Sequence, residues 1–295
     1  MSAPSALKAW ALAARPKTLA AGVVPVLVGT AVAHLEGRVR PSAALACAVC
    51  SILIQVATNL ANDYFDAKKG ADNERRLGPA RAVQQGWISP QRMLLGTGIS
   101  LILAFALGLY LIHLGGAVIA AIGIISLVAA VAYTGGPYPL AYVGLGDLFV
   151  FLFFGLAAVV GTTWVQTLTA PPAAWVGGAA TGFLATAILV VNNLRDRETD
   201  AEAQKRTLVV RLGPTFARRE HASLIGAAFL VVGIGALMGW VPVAWLGLSI
   251  LCLPLAASEI RSVHQKDGRD LNPHLGGAAR LELFFGLALV AGSLL

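Results

Sequence analysis

Asn62, Asp66 and Asp72, in NDYFDAKKGAD, and Asn192, Asp196 and Asp200, in NNLRDRETD, are the residues of this sequence best suited to chemistry. On a helix, Asn62 and Asp66 share a face one turn apart, and Asn192, Asp196 and Asp200 form a polar stripe of the same spacing. Asp72 falls outside that spacing, and Gly70 before it would let the chain unwind and turn it back. Carboxylates crowded at the end of an apolar helix repel one another, and a divalent cation relieves the repulsion. Mg²⁺ takes oxygen ligands, usually one or two carboxylates plus water and phosphate oxygens. Two such stripes facing each other would hold Mg²⁺ and a diphosphate. Arg81, Lys205 and Arg206 would neutralise the remaining phosphate oxygens. The fitting chemistry is ionisation of an allylic diphosphate, with an electron-rich aromatic ring capturing the allylic cation in a dry, apolar place. Either patch alone is equally an ordinary solvated loop of i,i+4 charge pairs. Both begin with Asn at the end of an apolar helix on one side, and that coincidence favours the clamp.

The chain carrying these residues is strongly apolar. Of 295 residues, 57% are hydrophobic and 13% charged, with a mean hydropathy of +0.74. A soluble domain carries about 25% charged residues. Repeated apolar runs of about 20 residues predict membrane-spanning helices. Their continuous rather than alternating apolarity argues against a barrel. The 32 glycines suit close helix packing in lipid. The expected fold is all-α and polytopic: one integral-membrane domain over residues 1–295, a bundle of nine transmembrane helices with a central cavity open to the cytoplasmic side. Helices are predicted near Thr18–Glu36, Ser42–Ala61, Gln91–His113, Gly115–Tyr133, Leu145–Leu168, Pro172–Asn193, Ala222–Trp240, Val241–Ile260 and Leu275–Leu294. Arg15, Pro16 and Lys17 interrupt the N-terminal apolar character too early for a signal peptide, which predicts a retained first helix behind a short basic leader.

On this map, all of the 22 lysines and arginines except Arg38 and Arg40 fall on the N-terminal side. The positive-inside rule puts that side in the cytoplasm of a bacterial inner membrane. The net charge of +7 is therefore concentrated where both acidic patches lie, suited to an anionic substrate or membrane lipid headgroups. No soluble basic domain is present to carry nucleic acid. Cys47 and Cys50 form a C-x-x-C inside an apolar helix with no nearby His or second pair, and are read as packed helix residues. Asn192, Tyr133, Tyr138, Tyr142 and Asp147 are candidates for holding an aromatic substrate. Dipole capping explains Asp147 equally well, and interfacial anchoring the tyrosines. Glu282 is expected to pair with Arg280.

NDYFDAKKGAD followed by GPARAVQQG, together with NNLRDRETDAEAQKRTLVVRLG, resembles the UbiA-type intramembrane aromatic prenyltransferases. That resemblance implies nine helices, two Asp-rich motifs and Mg²⁺-dependent prenyl transfer. The middle segment GPYPLAYVGLGDLFVFLFFGLAAVVGTTWVQT is similar to the family branch that serves menaquinone biosynthesis. ARPKTLAAGVVPVLVG and LNPHLGGAARLELFFGLALVAG resemble the same branch. The widely shared first motif places its last Asp four residues after the preceding one. Here Gly70 occupies that place and Asp72 supplies the carboxylate, as in the naphthoate branch. The implied reaction joins an all-trans polyprenyl diphosphate to 1,4-dihydroxy-2-naphthoate, giving reduced demethylmenaquinone, CO₂ and diphosphate. It implies Asn62, Asp66, Asp72, Asp196 and Asp200 around Mg²⁺. Arg81, Lys205 and Arg206 would bind the diphosphate, with Arg15 reaching from the first helix unless it serves as a topology charge. A different aromatic acceptor, 4-hydroxybenzoate or homogentisate, is disfavoured by the first-motif spacing and the middle segment. A secondary transporter would carry its charge near the bilayer midplane rather than at one mouth.

Overall fold

The computed structural model describes residues 4–71 and 76–295, and among them every regular element is a helix. In order these are α1 (Ala6–Ala14), α2 (Pro16–Leu35), α3 (Pro41–Lys68), α4 (Pro90–Ala132) and α5 (Gly146–Val150), which runs through a π-helical turn (Phe151–Ala157) into α6 (Ala158–Thr167). Then come α7 (Pro172–Glu202), α8 (Leu208–Leu237), α9 (Val243–Ile250), α10 (Leu253–Gln265) and α11 (Asn272–Gly292). Among the described residues, seven helices are long and apolar enough to cross a membrane. The number is eight if α9 and α10, bent by 53°, form one span.

One difference from the expected map bears on function. The apolar runs end near Ala61 and Asn193, but α3 continues to Lys68 and α7 to Glu202. With 28 and 31 residues, these helices are about 42 and 46 Å long, well beyond a hydrocarbon core of about 30 Å. The overhanging turns carry Asn62 and Asp66 on one helix, and Asp196 and Asp200 on the other. The helices expected at Gln91–His113 and Gly115–Tyr133 are both present, as the two arms of α4 on either side of a break at Gly116, where φ is 67° and ψ −152°. Glycine takes that backbone conformation without steric cost. The carbonyl released at Gly115 accepts a hydrogen bond from Trp164 Nε1 at 2.9 Å. Both ends of α4 lie near the C-terminal part of α3: Met93 packs with Leu60, and Thr134 bonds to Asn62. The chain therefore doubles back at Gly116. The expected Arg280–Glu282 pair does not form, because residues two apart on a helix point about 200° apart. Arg280 Nε donates to Gly276 O at 3.3 Å instead, while Glu282 is buried with neither carboxylate oxygen hydrogen-bonded.

The main core joins α2, α6, α7, α8, α9 and α11 around Val28, Leu184, Ile225, Trp245 and Phe285. Trp245 hides its indole and satisfies it by donating to Ser293 Oγ at 2.8 Å. Backbones approach closely where the π-helical turn meets α7. A Cβ at Gly155 would meet the backbone of Gly178 and of Gly182. Small residues permit such contact in lipid, where packing rather than hydrophobicity joins helices. Backbone atoms on both sides cannot yield as a flexible side chain would. Gly155→Ala is therefore expected to destabilise the fold by about 1–3 kcal/mol. Thermal unfolding in detergent should show the loss, whereas alanine at Gly247, which has open space around it, should leave the midpoint unchanged.

Candidate active site

The overhanging end of α3, Asn192 and Asn193 of α7, and the segments following α4 and α7 line the polar end of a cavity of about 360 Å³. That size falls in the range of small-molecule sites. The polar end presents Arg15, Asn62, Asp66, Arg81, Tyr133, Thr134, Asp147, Asn192 and Lys205. The cavity wall then follows one stripe of α3, through Asn59, Gln55, Ser51 and Cys50 to Cys47. From Asp66 to Cys47 this stripe extends about 28 Å at the helical rise. Ile119, Ile122, Phe149, Phe153 and Phe154 make the remaining wall apolar. The result is a slender apolar slot with a charged mouth.

Helical geometry and tertiary bonds together orient the mouth residues. Asn62 Oδ1 accepts from Thr134 Oγ1 at 2.8 Å, and Asp66 Oδ1 accepts from the Tyr142 hydroxyl at 2.8 Å. Lys69 Nζ donates to Thr134 O at 2.7 Å and sits 4.2 Å from the Tyr142 ring centroid. Lys205 Nζ lies 5.8 Å from the same ring and 3.3 Å from Asp200 Oδ1. On α7, the buried Arg195 reaches Asp196 through Nε at 2.7 Å and through Nη2. It also bonds Asn192 Oδ1 at 2.8 Å and Asn272 Oδ1 at 3.1 Å. Arg15 stands at the α1–α2 junction in the left-handed region, φ 54°, and donates to Asn59 O at 3.4 Å.

The mouth forms one electrostatic unit. Burial works against the Lys205 charge, but Asp200, Asp66 and Asp196 outweigh it and raise its pKa. Lys69 is shifted down by burial, which its attraction to Asp66 only partly offsets. The Tyr133 hydroxyl is pushed up by burial and then by Asp147, Asp66 and Asp200, so it stays a protonated donor. Carboxylates from α3, α5 and α7 thus act on the same few groups, although Asp196 and Asp200 are themselves set back from the cavity wall.

The sequence-derived candidates divide accordingly. Asn62, Asp66, Asn192, Arg81, Lys205, Arg15, Tyr133 and Asp147 all line the cavity. Asp200 is buried beside Lys205, and its Oδ2 has no hydrogen-bond partner. Both oxygens of Asp196 receive Arg195. Arg206 is exposed and off the cavity wall, its N–H bonded to Tyr142 O at 3.0 Å. Tyr138 is 80% exposed and also off the wall. Asp72 lies outside the described residues. Thr134, Lys69 and Asp63 join the site without having been singled out. Their partners lie 65 or more residues away for the first two and 19 or 20 away for Asp63, beyond any local pattern.

Among the described residues, no three His, Cys, Asp or Glu side chains converge as a metal cage. That suits Mg²⁺, which is held by one or two carboxylates and completes its shell with water and phosphate oxygens. Asp200 Oδ2, buried and without a hydrogen bond, is a carboxylate oxygen fitted for such an ion. Asp66, whose charge also acts on Lys205 and which lines the cavity, would be a second such carboxylate.

Residues 22–280 match the UbiA prenyltransferase family. The chain is 38% identical over 301 residues to a 1,4-dihydroxy-2-naphthoate octaprenyltransferase of Escherichia coli (strain K12), covering 98% of this chain and 96% of that protein. A UbiA homolog from Aeropyrum pernix K1 has the same fold, with TM-score 0.74 and 16% identity over 94% of this chain and 98% of that one. A UbiA homolog from Archaeoglobus fulgidus bound to GPP and Mg²⁺ aligns with TM-score 0.64 and 17% identity, covering 96% of this chain and 99% of that one. The all-helical bundle is thus a fold shared with these solved structures. The chain belongs to the UbiA prenyltransferase family.

Proposed function

We propose that this protein transfers a polyprenyl group from an all-trans polyprenyl diphosphate to 1,4-dihydroxy-2-naphthoate, releasing CO₂ and diphosphate and leaving reduced demethylmenaquinone. The observation that carries the reading is the single cavity joining carboxylates and cations at its mouth to a long apolar slot along α3. A diphosphate matches the mouth and an isoprenoid tail matches the slot. The near full-length similarity to a naphthoate prenyltransferase supports the acceptor.

Asp66 and Asp200 would hold Mg²⁺, with Asn62, Asp196 and Asp72 as further ligands, directly or through water. Bound there, Mg²⁺ would supply Lewis-acid neutralisation of the leaving diphosphate. Lys205, Arg81 and Arg15 bind the phosphate oxygens, and Arg206 attracts the anion from the surface. The allylic C–O bond breaks, and its electron pair leaves with the diphosphate. Phe149, Phe153 and Ile122 keep water from the allylic cation. Asn192, Tyr133 and Asp147 orient the naphthoate, with Tyr138 at the rim. The ring carbon bearing the carboxylate bonds to the allylic carbon. Loss of CO₂ returns the electrons of the broken C–C bond to the ring.

In the membrane, the two arms of α4 on either side of Gly116 each cross and α9 with α10 crosses as one bent span, which gives nine crossings. The mouth then opens to the cytoplasm, because the basic loops lie on its side. The host is a bacterial inner membrane.

The test is transfer by purified protein in detergent, supplied with 1,4-dihydroxy-2-naphthoate, a long-chain prenyl diphosphate and Mg²⁺. Expected is prenylated, decarboxylated product that disappears with EDTA and returns with Mg²⁺. Product from 4-hydroxybenzoate but not from the naphthoate would reject the acceptor. No transfer to any aromatic acceptor from folded protein would reject the enzyme reading.

A further inference from the structure

Asp63 lies between Asn62 and Asp66 in the first motif but is absent from the cavity wall. It is only 2% exposed. Its carboxylate accepts the backbone N–H of Ala82 at 3.0 Å through Oδ2, and that of Val83 at 3.1 Å through Oδ1. The residue just before these two amides is Arg81, which does line the cavity. Arg15 and Arg76 stand in the field of the same carboxylate. Hydrogen bonds from backbone N–H groups to a carboxylate are charge-assisted and strong. They fix the backbone at 82 and 83, and with it the direction in which Arg81 leaves the chain. Ala82 is further held in a small core with Ala9, Ala13, Leu60 and Met93. On the other side of Arg81, Asn272 Nδ2 donates to Leu77 O at 3.0 Å. A Cβ at Gly78 would come within 2.7 Å of the Arg195 guanidinium. Among the described residues, the α3–α4 connection is thus tied down both before and after Arg81, which it sends into the cavity.

We propose that Asp63 is a positioning residue for diphosphate binding: its carboxylate anchors the backbone beyond Arg81 so that the guanidinium stands at the phosphate site. The inference rests on the diphosphate site proposed above. Two carboxylates three residues apart on α3 therefore divide the work, Asp66 facing the cavity and Asp63 holding its wall. A carboxylate is required for this. Asparagine accepts through one oxygen only and turns an NH₂ toward the second amide, donor against donor.

The test combines binding, kinetics and hydrogen exchange on the full-length protein in detergent. With Mg²⁺ present, Asp63→Asn should weaken binding of inorganic diphosphate about tenfold, as expected for the loss of one well-placed charged contact. Arg81→Ala should weaken it at least as much. The double variant should match Arg81→Ala alone, since the first residue acts through the second. In turnover, Asp63→Asn should raise KM for the prenyl diphosphate and leave KM for the naphthoate unchanged. Backbone amides over residues 81–88 should be protected in the wild type and exposed in Asp63→Asn. Unchanged diphosphate binding by Asp63→Asn would overturn the proposal, as would an undiminished loss in the Arg81→Ala background. Rapid exchange at Ala82 and Val83 in the wild type overturns it without any variant needing to fold. A wild type that binds no diphosphate removes the site and the positioning role together. One that binds diphosphate but does not prenylate the naphthoate loses only the acceptor assignment.

Discussion

Asp200→Asn is expected to lower kcat/KM by about 10³-fold or more while leaving the thermal midpoint of the ligand-free protein unchanged or higher. The rate loss follows from removing a charged ligand of the leaving-group site, where a single preorganised electrostatic contact is worth about 10²–10³ and a metal ligand at least that. The stability half of the prediction comes from the environment of Asp200. Its carboxylate is buried, Oδ2 has no hydrogen-bond partner, and Asp196 and Asp66 both repel it. Neutralising it relieves that repulsion and the cost of burying a charge, which offsets the loss of its 3.3 Å ion pair with Lys205. Lys205 does not become a stranded cation, because Asp66 and Asp196 still act on it. A site that strains the fold and serves the reaction is the usual stability–function trade-off. The same variant should also lose the rise in midpoint that Mg²⁺ plus diphosphate gives the wild type by mass action. A fall in midpoint of many degrees with catalysis merely proportional to folded protein would make Asp200 a structural residue instead.

The sequence announced the bundle and both acidic stripes because each depends on a local rule. Apolar run length reports bilayer thickness, and four-residue spacing reports a helix face. Asn62–Asp66 and Asp196–Asp200 could therefore be paired before any fold was known. Hydropathy marks where the membrane ends, however, not where a helix ends. That is why α3 and α7 run past Ala61 and Asn193 to Lys68 and Glu202. The overhang was invisible to apolarity, although the stripes needed it. The reversal of α4 at Gly116 was legible too: it falls at the boundary drawn between His113 and Gly115, where two adjacent glycines interrupt an otherwise apolar run. Among the tyrosines, Tyr138 and Tyr142 sit in one irregular segment where neither helical nor strand period applies. Only tertiary placement shows that Tyr142 reaches Asp66 while Tyr138 is exposed. Arg206 looked like a phosphate ligand by charge and proximity to Lys205. Its exposed side chain shows that adjacent residues beyond a helix end need not share a surface.

Arg195→Met is expected to destabilise the protein by about 3–5 kcal/mol, the cost of leaving one member of a buried ion pair without its partner. Arg195 is 2% exposed, and its guanidinium satisfies Asp196, Asn192 and Asn272 while packing against Gly78. Those partners come from α7, from the start of α11 and from the α3–α4 connection, so one planar fork joins three parts of the mouth. Methionine fills much of the volume but leaves the Asp196 carboxylate charged and buried, and removes the donors of two asparagine oxygens. Arg195→Lys keeps the charge but not the fork. It can reach one or two of these acceptors at a time and should lie between, at about 1–3 kcal/mol. Thermal unfolding in detergent should order the three proteins accordingly, with a drop for the methionine variant of about 10 °C or more. The decisive comparison is Arg195→Met with Asp196→Leu. Replacing both members of a buried pair by apolar groups restores stability in many proteins, so the double variant should recover most of the lost midpoint. Its turnover separates the two roles of Asp196. Activity that returns with the fold would make the carboxylate only a counter-charge to Arg195, whereas a stable protein with diphosphate affinity still lost would place it among the ligands of the leaving group.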